Sequence, residues 1–368
     1  MYKDKNILYV FTGGRKKRIN EGQIQAKDFY YGYFHLKKIF NKVELVEVNH
    51  KSNLFFKKID KFTRKVFHLP IHFASLIDNE MRENFSKFKT IYIVNESVMF
   101  YCLPLIVMIK KRMNFKINLF TMGLFSRMEK KSKRTILQKL IIKHFCLKFV
   151  DKFLFIGKGE YSYASDKFSD FKDKMHYVPF GVDTNFWSNK NQFKLNDREY
   201  ILFVGNDLNR DFDFLIDLVK ELKKEKFVIV SSQFDESIKT YNNVEYINGK
   251  WSENSLSDEE IRSLYSKAKL TIIPLKHTLQ PSGQSVALQA MSCLSPVLIT
   301  KTVGFWDIDK FEDGKNIYFM NKNDINEWVK KINFIFQDSN LKNITNNAQL
   351  MVEQNFSVDT FANHLAKI

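Results

Sequence analysis

The sequence predicts an α/β protein of two doubly wound domains, each a mostly parallel sheet wrapped by helices. Three observations carry that expectation. Short apolar runs of strand type alternate with segments of helical apolar spacing, and the alternation occurs twice in succession. Between the two arrays, Pro179-Phe180-Gly181-Val182-Asp183 has turn chemistry and no periodicity, which puts the domain linker there. The chain of 368 residues is long enough for two domains that each bury a core of their own.

In the first array, Asn6 to Phe11 is a strand that runs into Thr12-Gly13-Gly14 and then Arg15-Lys16-Lys17-Arg18. Helical spacing from Gln23 to Phe40 and a strand from Val43 to Val48 complete a βαβ opening, with the glycine turn at the carboxyl end of the first strand. The turn is not GxGxxG, so no dinucleotide fingerprint is present; Gly13 and Gly14 either admit a ligand to the backbone or make a plain tight turn. Lys51 to Leu69 interleaves Phe55, Phe56, Phe62 and Phe67 with Lys57, Lys58, Lys61, Arg64 and Lys65. It reads either as an interfacial amphipathic segment or as a surface helix with a Phe core face. Thr90 to Val94 is a strand with Asn95-Glu96-Ser97 at its carboxyl end, where open α/β sheets bind ligands, so Glu96 is an acceptor contact or a helix cap. Val98 to Ile109 is strongly apolar but holds Pro104 and is shorter than the roughly 20 residues that span a bilayer. Lys116 to Phe120 is a strand ending at Thr121-Met122-Gly123. A long basic helix is expected from Arg127 to Phe149, carrying Lys130, Lys131, Lys133, Arg134, Lys139, Lys143 and Lys148. Phe153 to Ile156 and His176 to Val178 are short strands.

The second array repeats the pattern. Tyr200 to Val204 is a strand, followed by Gly205-Asn206-Asp207 and a helix from about Asp211 to Lys224. Phe227 to Ser231 and Val244 to Ile247 are strands, Glu259 to Ala268 is helical, and Leu270 to Pro274 leads into Gln280-Pro281-Ser282-Gly283-Gln284-Ser285. That small polar turn opens onto an apolar helical run, Val286 to Met291, and then a buried-type strand, Pro296 to Thr300. A Gly/Ser turn at a helix start leaves backbone N–H groups unpaired, and these favour an anion together with the helix dipole. Ser282, Gly283, Gln284 and Ser285 are therefore a candidate phosphate cradle, or else a helix start that binds nothing. Asn316 to Met320 is a strand, and helices from about Asn323 and Asn340 close the chain.

Composition narrows the function. With 44% hydrophobic and 27% charged residues the chain is globular and not disordered. The net charge of +17 resides in residues 1–180, the remainder being close to neutral, and such asymmetry points to an anionic partner. The basic residues form no recognisable nucleic-acid module, so a membrane surface or an anionic acceptor is the expected partner. Cys102, Cys146 and Cys293 show no metal or disulfide spacing, which fits a reducing compartment. The N-terminal apolar run is too short for a signal peptide, and a cytoplasmic protein is expected. Two Asp-x-Asp pairs, Asp211 with Asp213 and Asp307 with Asp309, invite a metal reading, but the first sits at a helix start, where Asp is favoured in any case.

Four stretches in order, VPFGVDTNFW (178–187), ILFVGNDLNRDFDFLI (201–216), LYSKAKLTIIPL (264–275) and SGQSVALQAMSCLSPVLITKTVGFWD (282–307), resemble glycosyltransferase family 4. The resemblance implies the GT-B fold, two Rossmann-like domains facing a central cleft. Residues 1–180 would face the acceptor and the membrane, 181–355 would bind the nucleotide-sugar, and a helix in 356–368 would cross back to the first domain. It also implies retaining transfer of a sugar from a nucleoside-diphosphate donor, UDP- or GDP-linked, to a glycan or lipid-linked acceptor in cell-surface polysaccharide or lipopolysaccharide synthesis. That work would be done at the inner face of a membrane, with no cofactor and no metal. By the same resemblance Arg210 and Gln284 are the catalytic candidates, Arg210 as the fork that holds the diphosphate. Donor contacts fall on Gly13, Gly14, Gly205, Asn206, Ser282, Gly283, Ser285 and Gln289. The family's Arg after the glycine of the VG turn is Asn206 here, its paired Glu residues fall on Pro281 and Gln289, and its N-domain His falls near Met122. Those departures leave two rivals. One is an inactive GT-B homologue serving as a partner subunit; the other is a phosphorylase or epimerase on the same fold.

Overall fold

The computed structural model describes residues 5–21, 25–48, 54–129, 133–188, 197–249 and 256–368. It divides into two compact units: one of Met1–Gln23, Tyr30–Val178 and Ala362–Ile368, the other of Ile24–Phe29 and Pro179–Phe361.

The first unit is built on a six-stranded parallel sheet of order β2-β1-β3-β4-β5-β6. Its strands are β1 (Asn6–Phe11), β2 (Lys42–Glu47), β3 (Thr90–Val94), β4 (Lys116–Thr121), β5 (Lys152–Phe155) and β6 (Met175–Tyr177). A parallel sheet covered on both faces needs apolar residues at consecutive positions. NILYVF and TIYIV supply them, every residue after the first in each strand being buried. The strand order reverses between β1 and β3, so the carboxyl ends of these two strands mark the unit's ligand side. Residues Ala362–Ile368 group with this unit: Lys5 Nζ donates to the Ala366 carbonyl at 3.5 Å and Lys152 Nζ to the Ile368 carbonyl at 2.8 Å.

The second unit repeats the plan in the order β12-β11-β10-β7-β8-β9, again all parallel. Its strands are β7 (Tyr200–Val204), β8 (Phe227–Ser231), β9 (Val244–Asn248), β10 (Ala268–Ile273), β11 (Val297–Thr300) and β12 (Tyr318–Met320). Here the reversal lies between β7 and β10. The turns that leave these two strands, Gly205–Arg210 and Pro274–Gly283, therefore share the topological switch point.

The structure departs from the sequence expectations in two helices. The expected helix from Gln23 to Phe40 is broken: a 3₁₀ turn, Asp28–Tyr30, is followed by Tyr31 and Gly32 in the left-handed region, and only Tyr33–Ile39 is α-helical. Gln23 lies outside the described residues. The expected basic helix from Arg127 to Phe149 is instead a 3₁₀ turn, Ser126–Met128, a helix, Lys133–Ile141, a π turn, Ile142–Cys146, and a last turn, Leu147–Phe149. Lys130, Lys131 and the side chains of Lys133 and Arg134 lie outside the described structure. The segment from Lys51 forms the helix Leu54–Phe67, with residues 51–53 outside the described part. The apolar helix Glu96–Ile109, with Pro104 inside it, is 14 residues long, and no described helix is long and apolar enough to cross a membrane.

Candidate functional site

The site in the second unit is organised by a buried arginine. Arg210 follows the β7 turn, and its backbone is fixed twice: its N–H donates to the Asp207 carbonyl at 3.0 Å, and it forms a bridge with Leu275 at the end of β10. The residue is 2% exposed. The guanidinium threads between two glycines. A Cβ on Gly205 would lie 2.4 Å from Arg210 Nε, and one on Gly283 would lie 2.9 Å from Nη1. Both glycines are thus required by the close approach of this side chain, and Gly283 also by its φ of 80°. Asp207 lies 3.5 Å from Nε, yet neither Nε nor Nη1 has a hydrogen-bond partner. Burial lowers the pKa of Arg210, with Asp207 and Tyr265 acting in the opposite sense. A guanidinium remains charged in proteins, so two cationic donors stand buried and unsatisfied. Asp211 is engaged elsewhere: it caps the helix Phe212–Glu221 and accepts from Asn323.

Gly283 is also the N-cap of the helix Gln284–Ser292, and no side chain caps that helix. The helix start and the Arg210 fork therefore converge on one spot, an arrangement suited to an anion. Gln284 is buried at the first helical position. Ser282 is engaged within the protein: its N–H donates to the Gln280 carbonyl at 2.7 Å, and its hydroxyl accepts from Asn209 Nδ2 at 2.8 Å. Asn209 also reaches Gln280 Oε1 at 3.2 Å, so it ties the β7 turn to the β10 turn. Nothing in the sequence marks it beyond its place beside Arg210.

A cavity of about 160 Å³ opens beside this spot, lined by Gly205, Asn206, Gly249, Ser285 and Gln289 among others. It is smaller than whole-ligand pockets of roughly 300–1,000 Å³ and fits one moiety of a larger molecule. Ser285 and Gln289 are one helical turn apart on the same face. Asn206 is a bracket: Nδ2 donates to the Gly249 carbonyl at 2.7 Å, while Oδ1 accepts from Ser232 N at 2.6 Å and Ser231 Oγ at 3.2 Å. It fastens the ends of β7, β8 and β9, so its role toward a ligand is to shape the wall.

Gln289 is held by a residue the sequence had placed in a helix of the first domain. Its Nε2 donates to Asp28 Oδ2 at 2.8 Å, and its Oε1 accepts from Tyr265 Oη at 3.3 Å. Asp28 also accepts from Trp187 Nε1 at 2.7 Å and from the Asp183 N–H at 2.5 Å. Burial pushes its carboxyl up to about 7 against the pull of those three donors. Gln289 Oε1 keeps one lone pair for a ligand hydroxyl.

Gly13 and Gly14 belong to the first unit. Gly14, at φ 106°, caps the short helix Arg15–Asn20, but the N–H groups of Arg15 and Lys16 both donate to Glu47 Oε1, at 2.5 and 2.9 Å. The turn offered as a donor contact is filled by the protein's own carboxylate. At the end of β4, Met122 donates its N–H to Glu96 Oε1 at 2.7 Å, and its Sδ lies 3.7 Å from Tyr31 Oη. Glu96 thus holds that loop; the cap of the following helix is Asn95, which accepts from Val98 N. Glu160, unmarked in the sequence, accepts from the Gly123 and Phe125 N–H groups at 2.8 Å each. Its carboxyl is pushed up to about 8 by burial and then by Glu96. Among the described residues, no cluster of His, Cys, Asp and Glu is placed to hold a metal ion.

The whole chain has the GT-B glycosyltransferase fold. It superposes on sucrose-phosphate synthase of Thermosynechococcus elongatus with a TM-score of 0.69 and 12% identity, covering 99% of this chain and 98% of that one. For HepE of Anabaena in complex with UDP and glucose the values are 0.67 and 13%, covering 99% and 98%. For WaaG, a glycosyltransferase involved in lipopolysaccharide biosynthesis, they are 0.59 and 12%, covering 98% of each chain. No curated protein matches the chain significantly in sequence. Within the fold, residues 198–338 match the family of group 1 glycosyl transferases, and that match includes Arg210, Gly283 and Gln289.

Proposed function

We propose that this glycosyltransferase moves a sugar, with retention and without a metal, from a nucleoside-diphosphate sugar to a glycan or lipid-linked acceptor in cell-surface polysaccharide or lipopolysaccharide synthesis. The observation that carries the reading is the pair of unsatisfied donors on buried Arg210, beside an uncapped helix start. Leaving buried charged donors unbonded is costly, and an arriving diphosphate removes that cost. As the sugar–oxygen bond breaks, negative charge grows on the departing diphosphate, where a preformed fork and helix N–H groups stabilise it most. Gln284 is then the candidate for contact with the sugar, Gln289 Oε1 accepts from a ribose hydroxyl, and the adjoining cavity takes the rest of the nucleoside. UDP is the first nucleotide to test, since HepE is seen with UDP and glucose.

The acceptor side belongs to the first unit, for which we infer a cytoplasmic protein that docks peripherally on an anionic membrane. On the helix Leu54–Phe67, Lys57, Lys58, Lys61, Arg64 and Lys65 are exposed, and Phe55 and Phe62 are 66% and 67% exposed. Charge attraction with partial apolar insertion is how such helices bind lipid.

The deciding experiment is thermal unfolding with UDP, GDP, ADP, CMP and their common sugars in EDTA. A ligand at about 100 times its Kd adds roughly 2.7 kcal/mol, or several degrees. A shift with one nucleoside diphosphate supports a metal-free donor site. No shift with any of them would replace this reading by that of an inactive partner subunit.

A further inference from the structure

One wall of the cavity in the second unit comes from far away in the sequence. Residues 25–29 group with that unit, ahead of the main body of its chain, Pro179–Phe361. Successive residues of the stretch are held. The Ala26 N–H donates to Asp258 Oδ2 at 3.0 Å, and the Lys27 N–H donates to Asp183 Oδ2 at 3.3 Å. Asp28 accepts from Asp183, Trp187 and Gln289. The next residue, Phe29, is the middle of the 3₁₀ turn Asp28–Tyr30, and its side chain lines the cavity. Among the described residues, the aromatic ones on that lining are Phe29, Trp187 and Tyr265. Trp187 and Tyr265 are buried and packed edge-on, with ring centroids 5.9 Å apart. Their polar atoms are engaged, Trp187 Nε1 with Asp28 and Tyr265 Oη with Gln289. Phe29 is the half-buried one. Around it the lining is aliphatic, from Val230, Leu256, Ile261 and Val286. The same lining includes Gly205, the glycine against which Arg210 Nε packs.

We propose that the Phe29 ring is the stacking face for the base of the donor nucleotide, and that this base is uracil. The inference rests on the donor reading above and adds to it a binding residue and a base. A nucleoside diphosphate has two chemistries in one molecule. Its phosphates need cationic and N–H donors, and the faces of its base need apolar and aromatic surface. The cavity presents the second kind of surface next to the arginine that presents the first. A sugar in the same place would leave its hydroxyls against Val230, Leu256, Ile261 and Val286, which cannot bond them. A volume of about 160 Å³ suits a one-ring base better than a two-ring one. The bonds at Ala26, Lys27 and Asp28 fix the turn before a ligand arrives, so little ordering of Phe29 is left to oppose binding.

The test is calorimetric titration of the full chain in EDTA with UDP and with 5,6-dihydro-UDP. The dihydro base keeps the hydrogen-bonding edge of uracil but is puckered and not aromatic, so the ratio of the two dissociation constants reads stacking. The wild type should prefer UDP by about tenfold. Phe29→Ala should weaken UDP by about the same factor and bring the ratio to within about twofold, while Phe29→Tyr keeps it. Should Phe29→Ala fail to fold, Phe29→Leu, which keeps apolar volume without a ring, carries the same expectation. A residue that only supported the fold would weaken both nucleotides equally. An unchanged ratio in the variant would therefore overturn the proposal, as would a wild type that does not distinguish the two nucleotides. Binding of GDP and not of UDP would also overturn it, and would leave the donor reading standing. A wild type that binds no nucleoside diphosphate would remove the donor reading itself, and the proposal with it.

Discussion

Arg210→Met separates a ligand-binding arginine from a structural one, because the two roles predict opposite signs of stability change. In the free protein, Arg210 Nε and Nη1 are buried without hydrogen-bond partners. Each such donor costs about 1–3 kcal/mol. The compensating ion pair with Asp207 is at 3.5 Å, with the Asp207 side chain 38% exposed, and a partly solvated pair of that kind contributes at most about 1 kcal/mol. Met keeps a stem of similar length between Gly205 and Gly283. The variant should therefore be more stable than the wild type by at least about 1 kcal/mol without ligand, a rise of a few degrees in Tm. With UDP the order reverses. Two lost charge-assisted bonds of about 1.5–3 kcal/mol each lower affinity by two orders of magnitude or more. Scanning calorimetry of both proteins, with and without UDP in EDTA, reads all four states. A ligand-free variant that melts well below the wild type would refute the reasoning, since it would make Arg210 a strut of the β7–β10 junction.

Two further outcomes follow from the same site. Gly283→Ala adds a Cβ in a left-handed conformation, 2.8 Å from Ile273 Cγ2 and 2.9 Å from Arg210 Nη1. It should cost about 1–2 kcal/mol from backbone strain alone and abolish the UDP-induced shift, as read by urea unfolding and the same calorimetry. Asp28 has a folded pKa of about 7 against 3.8 unfolded, so the folded state binds the extra proton in that window. Its contribution is fully present below pH 3.8 and is lost as pH rises through 7, up to about 4 kcal/mol in all. Asp28→Asn should remove that slope: relative to the wild type it is less stable at pH 5 than at pH 8.5, the deficit shrinking as pH rises through 7. An unchanged difference across that range would show that Asp28 does not titrate in it.

Much of the architecture was legible because parallel strands buried on both faces must be apolar at every position. ILFV, FVIVS and TIYIV advertise themselves for that reason, and the structure places β3, β7 and β8 at the boundaries read from sequence. The parts of the candidate site were legible for a similar reason: a glycine before a helix, and an arginine a few residues past a strand-end glycine, are local patterns with a local cause. What stayed hidden was set by partners distant in sequence. The helical spacing of Gln23 to Phe40 concealed the left-handed pair Tyr31 and Gly32, because periodicity reports which residues are apolar and says nothing of φ. Glu47 filling the Gly14 turn depends on a strand residue 31 positions from Lys16, and Glu160 holding Gly123 on a helix further still.

Asp28 and Gln289 show the same limit at the centre of the site. Read alone, Gln289 is a carboxylate's position occupied by an amide. In the structure its Nε2 faces a carboxylate contributed by Asp28, 261 residues earlier, at 2.8 Å. A glutamate there would set two carboxyl groups against each other in a buried pocket, where one would have to stay protonated. An amide is the side chain that donates to Asp28, accepts from Tyr265 and retains an acceptor for a ligand hydroxyl. The amide at this position therefore fits the residue it faces, and on those grounds Gln289 is no mark of a decayed site.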